Sequence, residues 1–308
     1  MVNRGDFTLY ISQEALKLIE NVPENRNRKR GRPFVFSPYT ILLGFAAKIV
    51  YRLGYRQANG LMNMVKEKLR LQVVPNFRTL WWRICKMRRF EIKFGTFKTD
   101  DGRFVGIIDS TGLKGSGRHE WCTKKFHLRR GWIKTHFLID DIGQFRNLSM
   151  TKEHVHDSKE LKHLTRPFLK KMGKLIADPA YDSDDIFGYL ESNNVIPIIP
   201  VRKNGTIKGS GKFRKKQVVE QLGLRHGPGR PSLLDLQTEK HHRKINQDRW
   251  KKRVRYHDRS RIEGEIWSFK SKFGENVFSK REDMRWKELV TKINIHNIFT
   301  VPDSKFVF

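Results

Sequence analysis

Two short apolar runs that each end on an aspartate constrain this chain more than any other feature of it. The run from Phe104 to Ile108 stops at Asp109, and the run from Leu175 to Ala177 stops at Asp178. Each is short enough for a buried strand, and each is followed by turn-prone residues: Ser-Thr-Gly after Asp109 and Pro-Ala-Tyr-Asp after Asp178. The pattern predicts a sheet with an acid at the end of each of two strands, which is where open α/β sheets bind ligands. Two carboxylates brought together repel, and a cation or a shared proton is needed to hold them there. The oxygen-seeking ions Mg2+ and Mn2+ suit such a pair. Two such ions can activate a water or a 3′-hydroxyl and stabilise a leaving oxygen. Taken singly, each Asp reads more simply as a turn or helix cap, so a third element has to decide.

That element is the segment from Tyr256 to Phe273. On a helix at about 100° per residue, Tyr256, Arg259, Glu263 and Lys270 fall within an arc of roughly 60°. Ile262, Ile266, Phe269 and Phe273 form an adjacent apolar stripe able to pack on a sheet. One helix thus anchors itself by one face and presents a carboxylate between two cations on the next. Glu265 points almost opposite to that arc. A plain solvated helix face does not explain why the one acid on the arc has a Tyr, an Arg and a Lys beside it.

The remaining elements follow from periodicity and punctuation. Ser12 to Ile19 reads as a short helix and residues 25–33 as a basic linker. Ser37-Pro38 supplies a cap and a first-turn proline for a helix carrying Ile41, Leu42, Phe45, Ile49 and Leu53. Further helices are expected near Gln57 to Leu69 and Thr79 to Phe90. Ile133 to Asp140 and Phe145 to Met150 read as strands joined by a turn at Asp141-Ile142-Gly143. Asp157 and Glu160 suggest a capping box, before a helix face of Leu161, Leu164 and Phe168 that Pro167 interrupts. A helix from Ser183 to Leu190, a strand from Val195 to Ile199 and a helix from Asp283 to Phe299 complete the order. Residues 202–255 are rich in Lys, Arg, Gly and His, and are expected to be loops with one helix at most. The fold class is α/β: a mixed sheet flanked by helices. The expected division is a helical region at 1–97 and a sheet domain at 98–308 with a basic insertion near 202–255.

Charge then narrows the partners. There are 63 Lys+Arg against 32 Asp+Glu, a net charge of +31. Such an excess attracts polyanions, and phosphate neutralisation is what nucleic-acid affinity is largely made of. Membrane is the competing polyanion. The longest apolar stretch, Ile41 to Tyr51, is broken by Lys48 and is too short to span a bilayer, and Met-Val-Asn-Arg-Gly-Asp is no signal peptide. Nucleic acid without membrane is therefore the expected partner. The two cysteines, Cys85 and Cys122, form no CxxC pair and read as free thiols rather than a zinc site.

Other candidates have simpler explanations. Asp182, with Ser183, reads as a cap for the following helix, and Asp140 and Asp141 as turn residues. His154, His156 and Asp157 form a metal cluster on paper but fit a loop and helix cap better. His241-His242 is expected in solvent. Of Trp81 and Trp82, one is expected in a core. Lys29 to Pro33 is either a minor-groove hook, with Arg30 and Arg32 entering a narrow A·T groove, or a flexible basic linker.

The arrangement Tyr256-x2-Arg259-x3-Glu263-x6-Lys270 resembles the signature around the catalytic glutamate of insertion-sequence transposases of the IS4 and IS5 type. Ile108 to Lys114 is similar to the first-aspartate motif of the IS5 group, and Ala177 to Ser183 to its second. Arg30 to Pro33, Tyr55 to Gln57 and Pro75 to Arg83 resemble its N-terminal region, so the likeness runs from about residue 29 to 300. Pro179-Ala180 departs from the Lys-Gly or Gly-Ala common at that place. The resemblance implies an RNase H-like DDE domain behind an N-terminal helical DNA-binding domain. It implies that Asp109, Asp178 and Glu263 bind Mg2+ or Mn2+, as two ions, and catalyse cleavage and strand transfer. Arg259, Lys270 and Lys114 would contact DNA phosphates, and Tyr256 would position DNA or the helix. The resemblance further implies double-stranded DNA as the partner, a cytoplasmic, nucleoid-associated location and, since both ends of an element must be processed together, at least a homodimer on DNA.

Overall fold

The structure is a computed structural model that describes residues 17, 19–21, 35–88, 90–92, 102–115, 132–202, 211–223 and 233–300, with backbone only for 233–240. The expected helix at 12–19 lies mostly outside the described residues. The linker at 25–33, with Arg30 and Arg32, and Cys122 lie wholly outside them. The chain divides into two compact units. One comprises Met1–Glu91, Arg281–Lys292 and Lys305–Phe308; the other comprises Ile92–Lys280 and Ile293–Ser304.

The first unit is helical where it is described. Helix α1 (Pro38–Val50) starts as expected, with the Ser37 hydroxyl accepting from the Thr40 amide at 3.1 Å and Pro38 at the first position. It ends earlier than its apolar spacing suggests. Arg52 turns left-handed (φ 53°), and the Leu53 amide donates back to Lys48 O at 2.8 Å, closing a Schellman turn with Leu53 just beyond the helix. Helix α2 (Tyr55–Met64) also stops short of Leu69, and α3 (Phe77–Lys86) starts two residues before the expected Thr79, capped by Asn76. Their apolar faces meet in a core of Ile41, Phe45, Ile49, Met62, Leu80, Ile84 and Met284. The α1 face at Gly44 is packed tightly: a β-carbon there would stand 2.6 Å from Met62 Sδ. Trp81 and Trp82 are both exposed, at 44% and 48%, which corrects the expectation of one in the core. Leu80 and Ile84 already fill the buried face of α3, and the Lys86 ammonium lies 4.1 Å over the Trp82 ring.

The second unit is built on a mixed sheet. Strands β1 (Phe104–Gly115), β2 (Trp132–Ile139), β3 (Phe145–Thr151), β4 (Met172–Ile176) and β5 (Ile196–Ile198) lie in the order β3-β2-β1-β4-β5, and β6 (Asn276–Val277) pairs with the far end of β1. The β1–β4 and β4–β5 pairs are parallel; β1–β2 and β2–β3 are antiparallel. The β2–β3 hairpin turns where expected: the Gly143 amide donates to Asp140 O at 3.1 Å, and Gly143 takes φ 91°. Alternation along the strands gives the sheet two buried faces. On one, Ile108, Leu138 and Leu175 pack with Leu161 and Leu164 of α4 (Ser158–Thr165) and with Ile186, Phe187 and Leu190 of α5 (Asp184–Ser192). On the other, Phe137 and Phe145 meet Phe269 of α8 (Ser260–Phe273), with ring centroids 5.8 Å from it.

Two expectations in this unit are corrected. The basic segment holds two helices, α6 (Lys212–Leu222) and α7 (Leu233–Arg253). Their cationic surfaces hide the few apolar anchors: Val218 and Leu222 pack on Val201, and Trp250 is buried. The Gln221 and Gln247 side chains tie the two helices to the backbone of Val201. The Asp157–Glu160 capping box does not form. Asp157 binds Lys134 at 2.6 Å and Glu160 accepts from the Ser149 hydroxyl, so both acids face the sheet instead of the α4 terminus. Past Thr165, the 3-10 turn Arg166–Lys171 contains Pro167, so the expected helix breaks before Phe168. The last helix, α9 (Glu282–Thr300), gives its residues up to Lys292 to the first unit and those from Ile293 to the second. Among the described residues no helix is long and apolar enough to cross a membrane.

Candidate active site

The sheet register brings the two aspartates together. In the parallel β1–β4 pair, Ile107 stands opposite Ile176. Two residues further along each chain come Asp109 and Asp178, and a strand's period of two keeps each on the face of its isoleucine. The chain stays extended past β4, because the Ala177 amide donates to Ile198 O at 3.2 Å and Asp178 has φ −79° and ψ 170°. Asp178 then ends its run as expected. Its Oδ1 accepts from the Ala180 amide at 2.8 Å and starts a 3-10 turn at Pro179–Tyr181. Asp109 does not end its strand: β1 continues through Ser110, Thr111 and Gly112 to Gly115, paired with β2 as far as Lys114. The turn-prone residues are overridden by eight cross-strand pairs, so this acid projects from mid-strand.

The same face carries the third acid. Asp109 stands opposite Phe137, on which Phe269 of α8 packs. Ile262, Ile266, Phe269 and Phe273 are all buried, the stripe expected of this helix. The preceding residues Tyr256–Arg259 form a 3-10 turn rather than a first α-turn, entered at a left-handed Arg255 (φ 58°). Arg259 and Glu263 still meet, with Nη1 donating to Glu263 Oε1 at 2.8 Å. The Arg259 Nη2 donates to Asp109 Oδ2 at 3.2 Å. One guanidinium thus joins Asp109 to Glu263, while Glu265 turns away to His296 at 2.9 Å.

Burial foremost raises the Asp109 pKa, and the nearby charges of Asp178 and Glu263 raise it further against the Ser110 amide and Arg259. Burial works against the Arg259 charge, yet Asp109, Tyr256, Glu263 and Asp178 together hold its pKa above the ordinary value. Tyr256 is pushed up to about 12, by burial first and then by Asp178, Asp109 and Glu263 against the pull of Arg259. Tyr256, Arg259 and the three carboxylates therefore sense one another as a single electrostatic cluster.

Lys114 and Lys270 stand apart from the acids but come together. Glu275 joins them, 3.4 Å from Lys114 Nζ and 3.7 Å from Lys270 Nζ, and its carbonyl accepts from the Lys114 amide at 2.8 Å. Nothing in the sequence marks Glu275, since its place depends on the β1–β6 pairing. Tyr181 was also missed. Its ring is buried, its hydroxyl has no hydrogen-bond partner among the described residues, and burial followed by Asp157, Asp178 and Asp109 raises its pKa well beyond the usual range.

The weaker candidates have structural roles. Asp182 does not cap the next helix; Ser183 does, accepting from the Ile186 amide. Asp182 instead holds Arg214 by two 2.7 Å bonds and accepts from the Arg202 amide. Asp140 is a turn residue as expected, taking the Ile142 and Gln144 amides and binding Arg146 at 2.6 Å. His156 bonds Ser158 beside the Asp157–Lys134 pair, and His241 and His242 are exposed. Among the described residues no three His, Cys, Asp or Glu side chains stand close enough to hold a metal ion as they are. Asp109, Asp178 and Glu263 nonetheless suit a divalent ion chemically. They offer only carboxylate oxygens, and a cation, the Arg259 guanidinium, already stands between two of them.

A family model described as "Transposase DDE domain" matches residues 101–298, and a second with the same description matches residues 2–118. Among solved structures, the chain is similar to the piggyBac transposase of a synaptic complex with hairpin DNA, at 13% identity. The match covers 94% of this chain and 72% of that one with a TM-score of 0.41. A simian T-cell lymphotropic virus intasome in complex with PP2A regulatory subunit B56 gamma matches at 14% identity, covering 60% of this chain and 66% of that chain, with a TM-score of 0.23.

Proposed function

This chain belongs to the transposase DDE-domain family, and on that premise we propose that it is an IS5-type enzyme that binds the terminal inverted repeats of its own insertion sequence, cleaves there and joins the freed end to target DNA. Transposases are enzymes, and DDE domains generally use divalent metal ions. One observation carries the reading. The β1–β4 register sets Asp109 level with Asp178, and the Arg259 guanidinium ties Asp109 to Glu263 on the same face.

In this reading residues 98–308 are an RNase H-like catalytic domain and residues 1–97 a helical DNA-binding region. Asp109, Asp178 and Glu263 hold Mg2+ or Mn2+, as two ions. When bound, the ions supply Lewis-acid activation of the attacking hydroxyl and charge stabilisation at the leaving oxygen. The chain's own groups do the rest. Asp109 is partly desolvated, its pKa raised by burial, so its carboxylate would gain from a cation stronger than the arginine it holds. Arg259 carries a planar fork suited to a phosphate. Lys114 and Lys270, paired through Glu275, add a second cationic point for the backbone, and Arg30 and Arg32 a third. Tyr256 keeps its proton at neutral pH and positions DNA as a neutral donor. Two element ends processed together call for a homodimer on DNA.

The test is cleavage and joining on labelled duplexes taken from the DNA that flanks the chain's own coding sequence, in Mg2+ and in EDTA. The wild type is expected to give metal-dependent 3′-hydroxyl ends and joined products. Asp109→Asn and Asp178→Asn are expected to bind the duplex and do neither. Cleavage without joining would make the chain a nuclease. Tight binding without cleavage under any divalent metal would make it a silent DNA-binding protein.

A further inference from the structure

Arg259 is held differently from the two arginines that meet the buried acids Asp140 and Asp182 in this unit. Arg214 sets two nitrogens on one carboxylate, that of Asp182, and Arg146 does the same on Asp140. Arg259 splits its fork instead, one Nη on Glu263 and the other on Asp109, and its buried Nε has no hydrogen-bond partner among the described residues. It is a bridge between two acids with its Nε–H left over, whereas a phosphate would offer the whole fork a partner. The two oxygens it occupies belong to two of the three residues proposed to hold metal, and the guanidinium and an ion cannot share the same lone pairs. Asp109 Oδ1 is already committed to the Ser110 amide, so the oxygen held by Arg259 is its freer one.

Resting on the metal-site reading above, we propose that Arg259 is a latch: without DNA it holds Asp109 and Glu263 closed to metal, and a DNA phosphate draws it away. DNA and divalent metal then bind cooperatively, each raising the affinity for the other by the same factor, as linkage requires. Release of a charge-assisted pair is of the size that changes affinity about tenfold. Lys270 lies on the same helix but is tied to Glu275, 3.7 Å away, and so belongs to the DNA surface and not to the latch.

The experiment titrates Mn2+ into the full chain and follows free Mn2+ by electron paramagnetic resonance, with and without a saturating flanking-DNA duplex, subtracting the duplex alone. It compares wild type, Arg259→Ala, Arg259→Lys, Arg253→Ala and Asp109→Asn, each checked by thermal melting. Arg259→Ala is expected to bind Mn2+ about tenfold tighter than wild type without DNA, and to gain several-fold less from the duplex. Arg259→Lys, a point charge unable to span both acids, falls between. Arg253→Ala, which removes an arginine paired with Glu220 at 2.9 Å and outside the proposed site, keeps the wild-type Mn2+ affinity and the wild-type gain from DNA. Equal Mn2+ affinity in wild type and Arg259→Ala without DNA overturns the latch, as does an undiminished gain from the duplex in Arg259→Ala. Asp109→Asn separates this from failure of the site itself. If it loses Mn2+ binding while the arginine variants behave as wild type, the latch alone is wrong; if it binds as wild type does, the metal site and the latch fall together.

Discussion

In the sheet-bearing unit, Asp140 and Asp182 meet their arginines in one way, and Asp109 and Glu263 meet theirs in another. Asp140 is fully buried, accepts two backbone amides and holds the whole fork of Arg146; Asp182 is nearly as buried and holds Arg214 by two 2.7 Å bonds. Both are closed arrangements, with the charge neutralised by one partner. Asp109 and Glu263 instead share a single arginine, with side chains 19% and 56% exposed. Buried pairs of the first kind lock a turn or a loop in place. The second kind leaves carboxylate oxygens within reach of a ligand and keeps the acid's charge only partly compensated, as functional sites tend to do. The difference lies in the number of donors per acid and in exposure, not in residue type.

The largest expected effects come from attacking each kind at its own function. Asp109→Asn, Asp178→Asn and Glu263→Gln should each reduce cleavage by about a thousandfold or more while leaving the melting transition in place. For Asp109 the sign is definite. Its pKa is raised in the folded chain, so its ionised form is less favourable there than in the unfolded chain, and Asp109→Asn should leave stability at neutral pH unchanged or higher. Asp140→Ala should do the reverse, costing about 3–5 kcal/mol, because it removes the buried carboxylate that pairs with Arg146 and takes the Ile142 and Gln144 amides. Denaturant melts of the two variants side by side would break the comparison if Asp109→Asn proved the more damaging.

A smaller effect should appear at acid pH. Burial lowers the His136 pKa, opposed by Asp157 and Glu160 and aided by Lys134. A histidine depressed in the folded state takes up its proton more readily when unfolded, so stability should fall as pH drops below about 6.5. His136→Gln should flatten that part of the stability–pH curve, and an unchanged slope would remove His136 from the account. The smallest effect belongs to the DNA surface. Lys270→Ala should weaken duplex binding evenly across sequences and reduce the slope of log affinity against log salt by about 0.9.

Legibility in the sequence followed the range of the interactions. The start of α1 rests on Ser37 and Pro38, and the buried face of α8 on the spacing of Ile262, Ile266, Phe269 and Phe273; both are local, and both are found as expected. The turn at Gly143 is equally local. Asp109 was expected at a strand end because Ser-Thr-Gly follows it, but pairing with β2, a partner remote in sequence, carries the strand onward. The helices α6 and α7 were hidden because lysines and arginines outnumber the few residues that anchor them, Val218, Leu222 and Trp250. The Asp182–Arg214 pair and the Glu275 link between Lys114 and Lys270 depend on tertiary neighbours that no local spacing announces. Of the proposed site, the residues were legible and the shared arginine was not: the helical spacing put Arg259 beside Glu263, but only the fold carries it to Asp109.

Glu263 and Glu265 lie two residues apart on one helix, one bound to Arg259 and the other to His296. Single-turnover cleavage of a flanking-DNA duplex in Mg2+ by Glu263→Gln and Glu265→Gln therefore tests the central claim most directly. The account predicts that Glu263→Gln binds the duplex but loses cleavage by about a thousandfold or more, while Glu265→Gln stays within about tenfold of wild type. Cleavage that survives in Glu263→Gln and is lost in a folded Glu265→Gln would contradict it.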